Sequence, residues 1–141
     1  MSFLERNILA WIALISLFLM GCGAYYAWFP KKGDELTSPK VVELIPSQGI
    51  RHTDPKLDKL VVRFDRPMRK GSSLTIQGGK TGIVAGESYW NTPTEFVIPV
   101  ELEENMSYTI WLNHEKNISF MDNLGYALVP YRWEFATGPA R

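Results

Sequence analysis

The sequence predicts an all-β domain, a sandwich of about seven strands in two antiparallel sheets, set behind an N-terminal hydrophobic helix. Three observations predict it. After residue 40 the chain falls into short runs of alternating or β-branched residues, divided by clusters of Gly, Pro, Asn and Asp. No stretch there sustains a helical period. The 5 Trp, 6 Tyr and 7 Phe are many for 141 residues, and rings suit a half-buried pleated surface. That length, with 45% hydrophobic and 21% charged residues, is the size and composition of one globular domain.

The first element is membrane-directed. From Asn7 to Pro30 no side chain is charged, and Ile8 to Phe29 is long enough to cross a hydrocarbon core as a helix. Two readings of residues 1–29 stand side by side. In one, Arg6 and the amino terminus form a short basic region offset by Glu5, Ile8 to Met20 is the apolar stretch of a signal peptide, and Leu19-Met20-Gly21-Cys22 resembles a bacterial lipobox. That resemblance implies acylation of the Cys22 sulfur and cleavage before it. In the other, Ile8 to Phe29 stays as a transmembrane signal-anchor, with Tyr25, Tyr26 and Trp28 at the headgroup level and Lys31-Lys32 beyond. Met20 and the apolar run after Cys22 favour the anchor, whereas Gly21 and Gly23 weaken a helix at mid-span. Cleavage with full secretion is a third outcome. Lys31, Lys32 and Lys40 outnumber Arg6 and would draw their side inward. Export is nonetheless expected, from the lipobox and from the β-rich domain that follows.

Residues 30–38 are charged, Pro-bounded and aperiodic, the pattern of a solvated linker. The domain spans 39–138. Its predicted strands are Val41 to Ile45, Lys59 to Phe64, Ser73 to Gln77, Gly82 to Ala85, Glu95 to Val100, Ser107 to Leu112 and Tyr131 to Thr137. Turns fall at Pro46-Ser47-Gln48-Gly49, Asp65-Arg66-Pro67, Gln77-Gly78-Gly79-Lys80, Asn91-Thr92-Pro93 and Asp122-Asn123-Leu124-Gly125. The two-residue period points Leu60, Val62 and Phe64 inward against Val61 and Arg63, and Phe96 and Ile98 inward against Glu95 and Val97. Likewise Tyr108, Ile110 and Leu112 oppose Thr109 and Trp111, and Tyr131, Trp133 and Phe135 oppose Arg132 and Glu134. One buried face per strand is what two packed antiparallel sheets require, and a domain of about 100 residues with about seven strands is the size of an immunoglobulin-like sandwich.

Ordered blocks carry a closer likeness: Pro39-Lys40-Val41-Val42, Pro46, Gly49, Leu60 through Met68 (LVVRFDRPM), Phe96, Pro99, Leu102, Tyr108-Thr109-Ile110, Asp122 with Gly125, and Phe135-Ala136-Thr137-Gly138. In this order and spacing they resemble the bacterial Ig-like domain of the S-layer-protein type over residues 39–138, here in a single, membrane-tethered copy. The resemblance implies an extracytoplasmic interaction or structural module of the cell envelope, without catalytic residues. Tyr126 departs from the Asn that often follows the family's Asp-x-x-Gly turn.

Several chemistries are disfavoured at once. Fifteen Lys+Arg balance fifteen Asp+Glu, so nothing in the net charge calls for a nucleic-acid partner. A lone Cys with His52 and His114 far apart assembles no disulfide and no Cys/His metal cluster, and no metal or cofactor is expected. No Gly-x-Ser-x-Gly elbow is present. Glu101, Glu103 and Glu104 are the densest carboxylates, the basis of an alternative small envelope hydrolase, but the simpler reading is a solvated turn around a buried Leu102. Asp122 and Asn123 suit a hard cation or an Asx-type turn closed by Gly125, and the turn is the expectation.

Partner-binding candidates are of two kinds. Trp111 falls on the outward face of its strand, and Tyr89 and Trp90 lie beside a turn. Such rings stack on sugars or anchor a protein partner, so an envelope glycan or another surface protein is the expected partner and a carbohydrate-binding accessory module the alternative. Charge is also uneven: residues 51–80 carry eight basic against three acidic side chains, and 87–134 two basic against eight acidic. Arg66, Arg69 and Lys70, around Pro67-Met68, form the sharpest basic group.

Overall fold

The computed structural model describes residues 36–72, 74–77, 83–114 and 116–139. The N-terminal segment, Cys22 and most of the linker lie outside them. The strands are β1 (Val41–Ile45), β2 (Lys59–Phe64), β3 (Leu74–Gln77), β4 (Tyr89–Thr92), β5 (Glu95–Pro99), β6 (Ser107–Leu112) and β7 (Tyr131–Ala136). They form a four-stranded sheet in the order β1-β2-β5-β4 and a three-stranded sheet in the order β3-β6-β7, every pair antiparallel. Lettered in sequence, that is ABED over CFG, the constant-type immunoglobulin arrangement. The all-β sandwich expected from the sequence is thus the fold of the domain.

Alternation builds the core. Leu60, Val62 and Phe64 of β2, Phe96 and Ile98 of β5, Tyr108, Ile110 and Leu112 of β6, and Trp133 and Phe135 of β7 are all buried between the sheets. Phe64, Trp90, Phe96 and Phe120 gather at one place, with ring centroids 5.0–6.0 Å apart. The outward faces are less polar than the period suggests. Val61 and Val97 are only 7% and 4% exposed although they point away from the core. The register explains it: Ile45, Val61, Val97 and Tyr89 form one cross-strand row, so each valine is flanked by apolar neighbours on the same face.

One strand assignment is corrected. The run predicted from Gly82 to Ala85 contributes an isolated bridge, Val84 to Val100, with Ala85 N–H donating to Pro99 O at 3.0 Å and Glu101 N–H to Ile83 O at 2.9 Å. The strand itself is Tyr89–Thr92, which includes part of the predicted Asn91-Thr92-Pro93 turn; the turn is Pro93-Thr94. Gly86, Glu87 and Ser88 interrupt the edge beside β5, and pairing resumes where Tyr89, Trp90 and Thr92 supply β-forming side chains.

Two irregular segments complete the domain. Between β1 and β2 the chain crosses to the other sheet and lies along β7: Gly49 N–H donates to Glu134 O (2.7 Å), Ala136 N–H to Ile50 O (2.8 Å) and Thr53 N–H to Ala136 O (3.0 Å). Between β6 and β7 the connection is organised by Asn113, buried and left-handed at φ 60°. Its Nδ2 donates to Phe120 O and Leu128 O, both at 2.9 Å, and its Oδ1 accepts the N–H groups of Ser119 (3.0 Å) and Phe120 (2.8 Å).

Candidate functional site

The candidate residues come to three different places. The first is an open depression of about 560 Å³ at the aromatic end of the sandwich, beside β4. Its position follows from how segment 66–72 is wedged: Met68 N–H donates to Pro93 O (2.8 Å) at the β4–β5 turn, and Arg69 N–H to Met121 O (2.9 Å). Met68 is buried and lies at the base, a lone apolar side chain in a charged stretch. This arrangement brings Arg69 and Lys70 beside Trp90, Asn91, Thr92, Pro93 and Asn123. The Trp90 indole packs on the core rings and donates its N–H to Gly71 O at 3.3 Å.

Arg69 is held over the 121–125 turn. Its Nη1 lies 3.7 Å from Met121 Sδ and its Nη2 3.5 Å from Asn123 O, and a Cβ at Gly125 would stand 3.4 Å from the guanidinium. The turn is closed as the sequence suggests: Asp122 Oδ1 accepts N–H bonds from Leu124 and Tyr126 at 2.9 Å, and Gly125 takes φ 88°. Arg66 does not join Arg69 and Lys70. Its guanidinium pairs with Asp65 (2.9 Å), donates to Thr37 O (3.1 Å) and lies 3.7 Å from Asp122 Oδ2, tying the start of the domain to that turn. Partial burial raises the Asp65 carboxyl, but the hydrogen bonds from Arg66 and from Lys40 N–H outweigh it and hold the group below its ordinary range.

Besides Asp122 in that turn, the Glu95 carboxylate is tied to the depression through Asn91 without lining it. Glu95 accepts from Arg63 Nε and from Asn91 Nδ2, both at 2.6 Å, and Arg63 also pairs with Glu43 across β1. Hydrogen bonding to Arg63, then to Asn91, holds Glu95 below the usual carboxylate range, so this acid is ionised and shares Arg63 with Glu43.

The second place is the outer face of the three-stranded sheet. Trp111 stands there half-buried, between Thr75 of β3 and Arg132 of β7, with the Arg132 guanidinium 6.0 Å from the ring centre and His114 edge-on at 6.0 Å. Arg132 also pairs with Glu134 at 2.7 Å. The third is the outer face of the four-stranded sheet, where Tyr89 is exposed. Trp90, its neighbour, points the other way.

Glu101, Glu103 and Glu104 follow β5 around a buried Leu102, as the alternation of loop and core predicts. The Glu103 backbone is fixed, its N–H donating to Tyr108 Oη (2.8 Å) and its carbonyl accepting from Thr137 Oγ1 (2.6 Å). The three carboxylates do not line the depression. Among the described residues no three of His, Cys, Asp and Glu come together as a metal site.

Fold and site together define an immunoglobulin-type β-sandwich with a cation-flanked, aromatic-edged depression at one end. No protein-family model and no curated protein matches the chain. Among solved structures it is similar to CopC from Methylosinus trichosporium OB3b, with a TM-score of 0.55 and 18% sequence identity over 73% of this chain and 96% of that one. At that identity the likeness is one of fold.

Proposed function

We propose that this is a non-catalytic, membrane-attached protein of the cell envelope whose Ig-like domain, related to the S-layer type, serves as an extracytoplasmic interaction or structural module. The observation that carries the reading is the order of parts: an uncharged stretch from Asn7 to Pro30 rich in aromatics at its end, a charged linker with Lys31 and Lys32, and then a sandwich that presents Trp111 on an outer face. A ring so placed supports binding of an envelope glycan or a second surface protein, because its apolar area is desolvated in a complex whereas exposed charges remain screened.

Attachment is tested by metabolic labelling with a palmitate analogue and by fractionation. If Cys22 is acylated, Cys22→Ser abolishes both label and processing. If the segment is an uncleaved anchor, the wild-type chain stays unlabelled and still sediments with membranes. A wild-type chain that neither labels nor sediments overturns the proposal.

The face is tested by Trp111→Ala. Binding to isolated envelope material is expected to weaken by about tenfold or more, the range of a binding hot spot, with little change in melting temperature because the ring lies on the outer face of the sheet, away from the core between the sheets. A large loss of stability would make Trp111 a packing residue, and unchanged binding would remove this face from the interaction.

A further inference from the structure

We propose that the depression beside β4 binds an acidic sugar, a saccharide unit carrying a carboxylate, and that Arg69 and Lys70 select its charge. The inference rests on the envelope-module reading and adds a ligand and a site to it. Four features converge. The volume, about 560 Å³, falls within the range of roughly 300–1,000 Å³ typical of small-molecule sites, enough for one or two sugar rings. Of the side chains lining it, two are basic and none acidic. Among the described residues neither Arg69 nor Lys70 has a carboxylate partner. Glu95, linked to the lining through Asn91, bonds to Arg63, and Asp122, next to Asn123, faces Arg66, so neither carboxylate pairs with these two cations.

Arg69 is also ordered in advance. Contacts with Met121 and Asn123 and the close approach of Gly125 fix its guanidinium at the rim, which lowers the entropy cost of a planar Arg–carboxylate pair. Lys70 is exposed and supplies an adjustable second cation. The rest of the wall has the mixed character that a pyranose requires: the Trp90 ring and Pro93 offer apolar surface for a C–H face, while Thr92, Asn91 and Asn123 offer hydroxyl and amide groups for its hydroxyls. Trp90 is held by its bond to Gly71 and by three neighbouring rings, so the apolar wall keeps its place when the site is empty.

The test is calorimetric titration of the full-length chain in zwitterionic nanodiscs with cellobiouronic acid, with cellobiose as the uncharged counterpart and inorganic phosphate as the bare anion. The acidic disaccharide is expected to bind about tenfold or more tightly than either control, and to weaken as salt is raised. Lys70→Gln, which removes a side chain with no partner among the described residues, and Arg69→Gln should each weaken it by about tenfold, whereas Lys116→Gln, an equal loss of charge elsewhere, should not. Equal binding of cellobiose overturns the role of the cations, and equal binding of phosphate overturns the sugar. Absence of binding by all three overturns the site. In that last case the same preparation is tested on isolated envelope material: retained, Trp111-dependent binding leaves the module reading standing, and its loss removes that reading too.

Discussion

Asn113→Ala is expected to destabilise the domain by about 4 kcal/mol, lowering its melting temperature by roughly 20 °C. The amide makes four hydrogen bonds, to Phe120 O, Leu128 O, Ser119 N and Phe120 N, and the Phe120 and Leu128 residues it serves are buried. Alanine removes all four bonds. Each buried backbone group left without a partner costs about 1–3 kcal/mol, and losing the bonds releases the whole β6–β7 connection at its first residue. A second term comes from the backbone, because φ 60° is tolerated by Asn and strained for Ala by about 1 kcal/mol. Asn113→Gly separates the two terms: glycine relieves the backbone and not the bonds, so it should recover only about 1 kcal/mol of the loss. Thermal unfolding of the intact chain followed by near-UV circular dichroism reads both variants. A change of less than about 1 kcal/mol in Asn113→Ala would show that the connection is held by its apolar packing instead.

Trp133→Ala is expected to be at least as severe. The indole is fully buried between the sheets, packs on Phe135 at 5.7 Å and donates its N–H to Pro46 O at 3.1 Å. Truncation of a buried Trp costs about 3–5 kcal/mol, and the Pro46 carbonyl loses its donor as well. Against the 5–15 kcal/mol that typically holds a domain together, that is a large share. Trp133→Phe keeps most of the volume and loses the bond, and should cost about 1–2 kcal/mol. Equilibrium urea unfolding checks the pair, the expected order of midpoints being wild type, Phe, then Ala. An Ala variant with the wild-type midpoint would place the bond between the two sheets elsewhere.

The parts of the fold that were legible in the sequence are those where one rule dominates. In β2, β5, β6 and β7 a large apolar residue recurs at every second position on the core side, so the strands and their inward sides can be read directly, although Val61, Val97 and Trp111 make the outward faces less polar than strict alternation would. β4 was not legible, because an edge strand with only Trp90 turned inward has no alternation to detect, and the apparent turn residue Thr92 is as good a strand former. The candidate site was readable as residue types and not as a place. Trp111 stands outward because period 2 alone decides it, whereas the meeting of Arg69 and Lys70 with Trp90 depends on the bond from Met68 to Pro93, which no local pattern encodes. Arg66 looks like part of the same basic group for the same reason in reverse: adjacency in sequence does not reveal that Asp122 lies opposite it. Asn113 carries no signal at all, since a single Asn after a strand reads as an ordinary turn residue.

The crossing of the β1–β2 connection onto β7 bears on how the domain is made. Gly49, Ile50 and Thr53 bond to Glu134 and Ala136, so residues near the start of the sandwich complete the hydrogen bonding of its last strand. A chain that becomes available N-terminus first can pair β1 with β2 early, but those residues have no partner until β7 has been made. Closure therefore waits on the whole domain, and the long loops that must be ordered before these contacts form place its folding in the slow, milliseconds-to-seconds regime of non-local β topologies. During that interval the Trp133 indole and the Pro46 carbonyl that receives its N–H are both unpaired, which leaves unfinished strands open to meeting their counterparts on other copies.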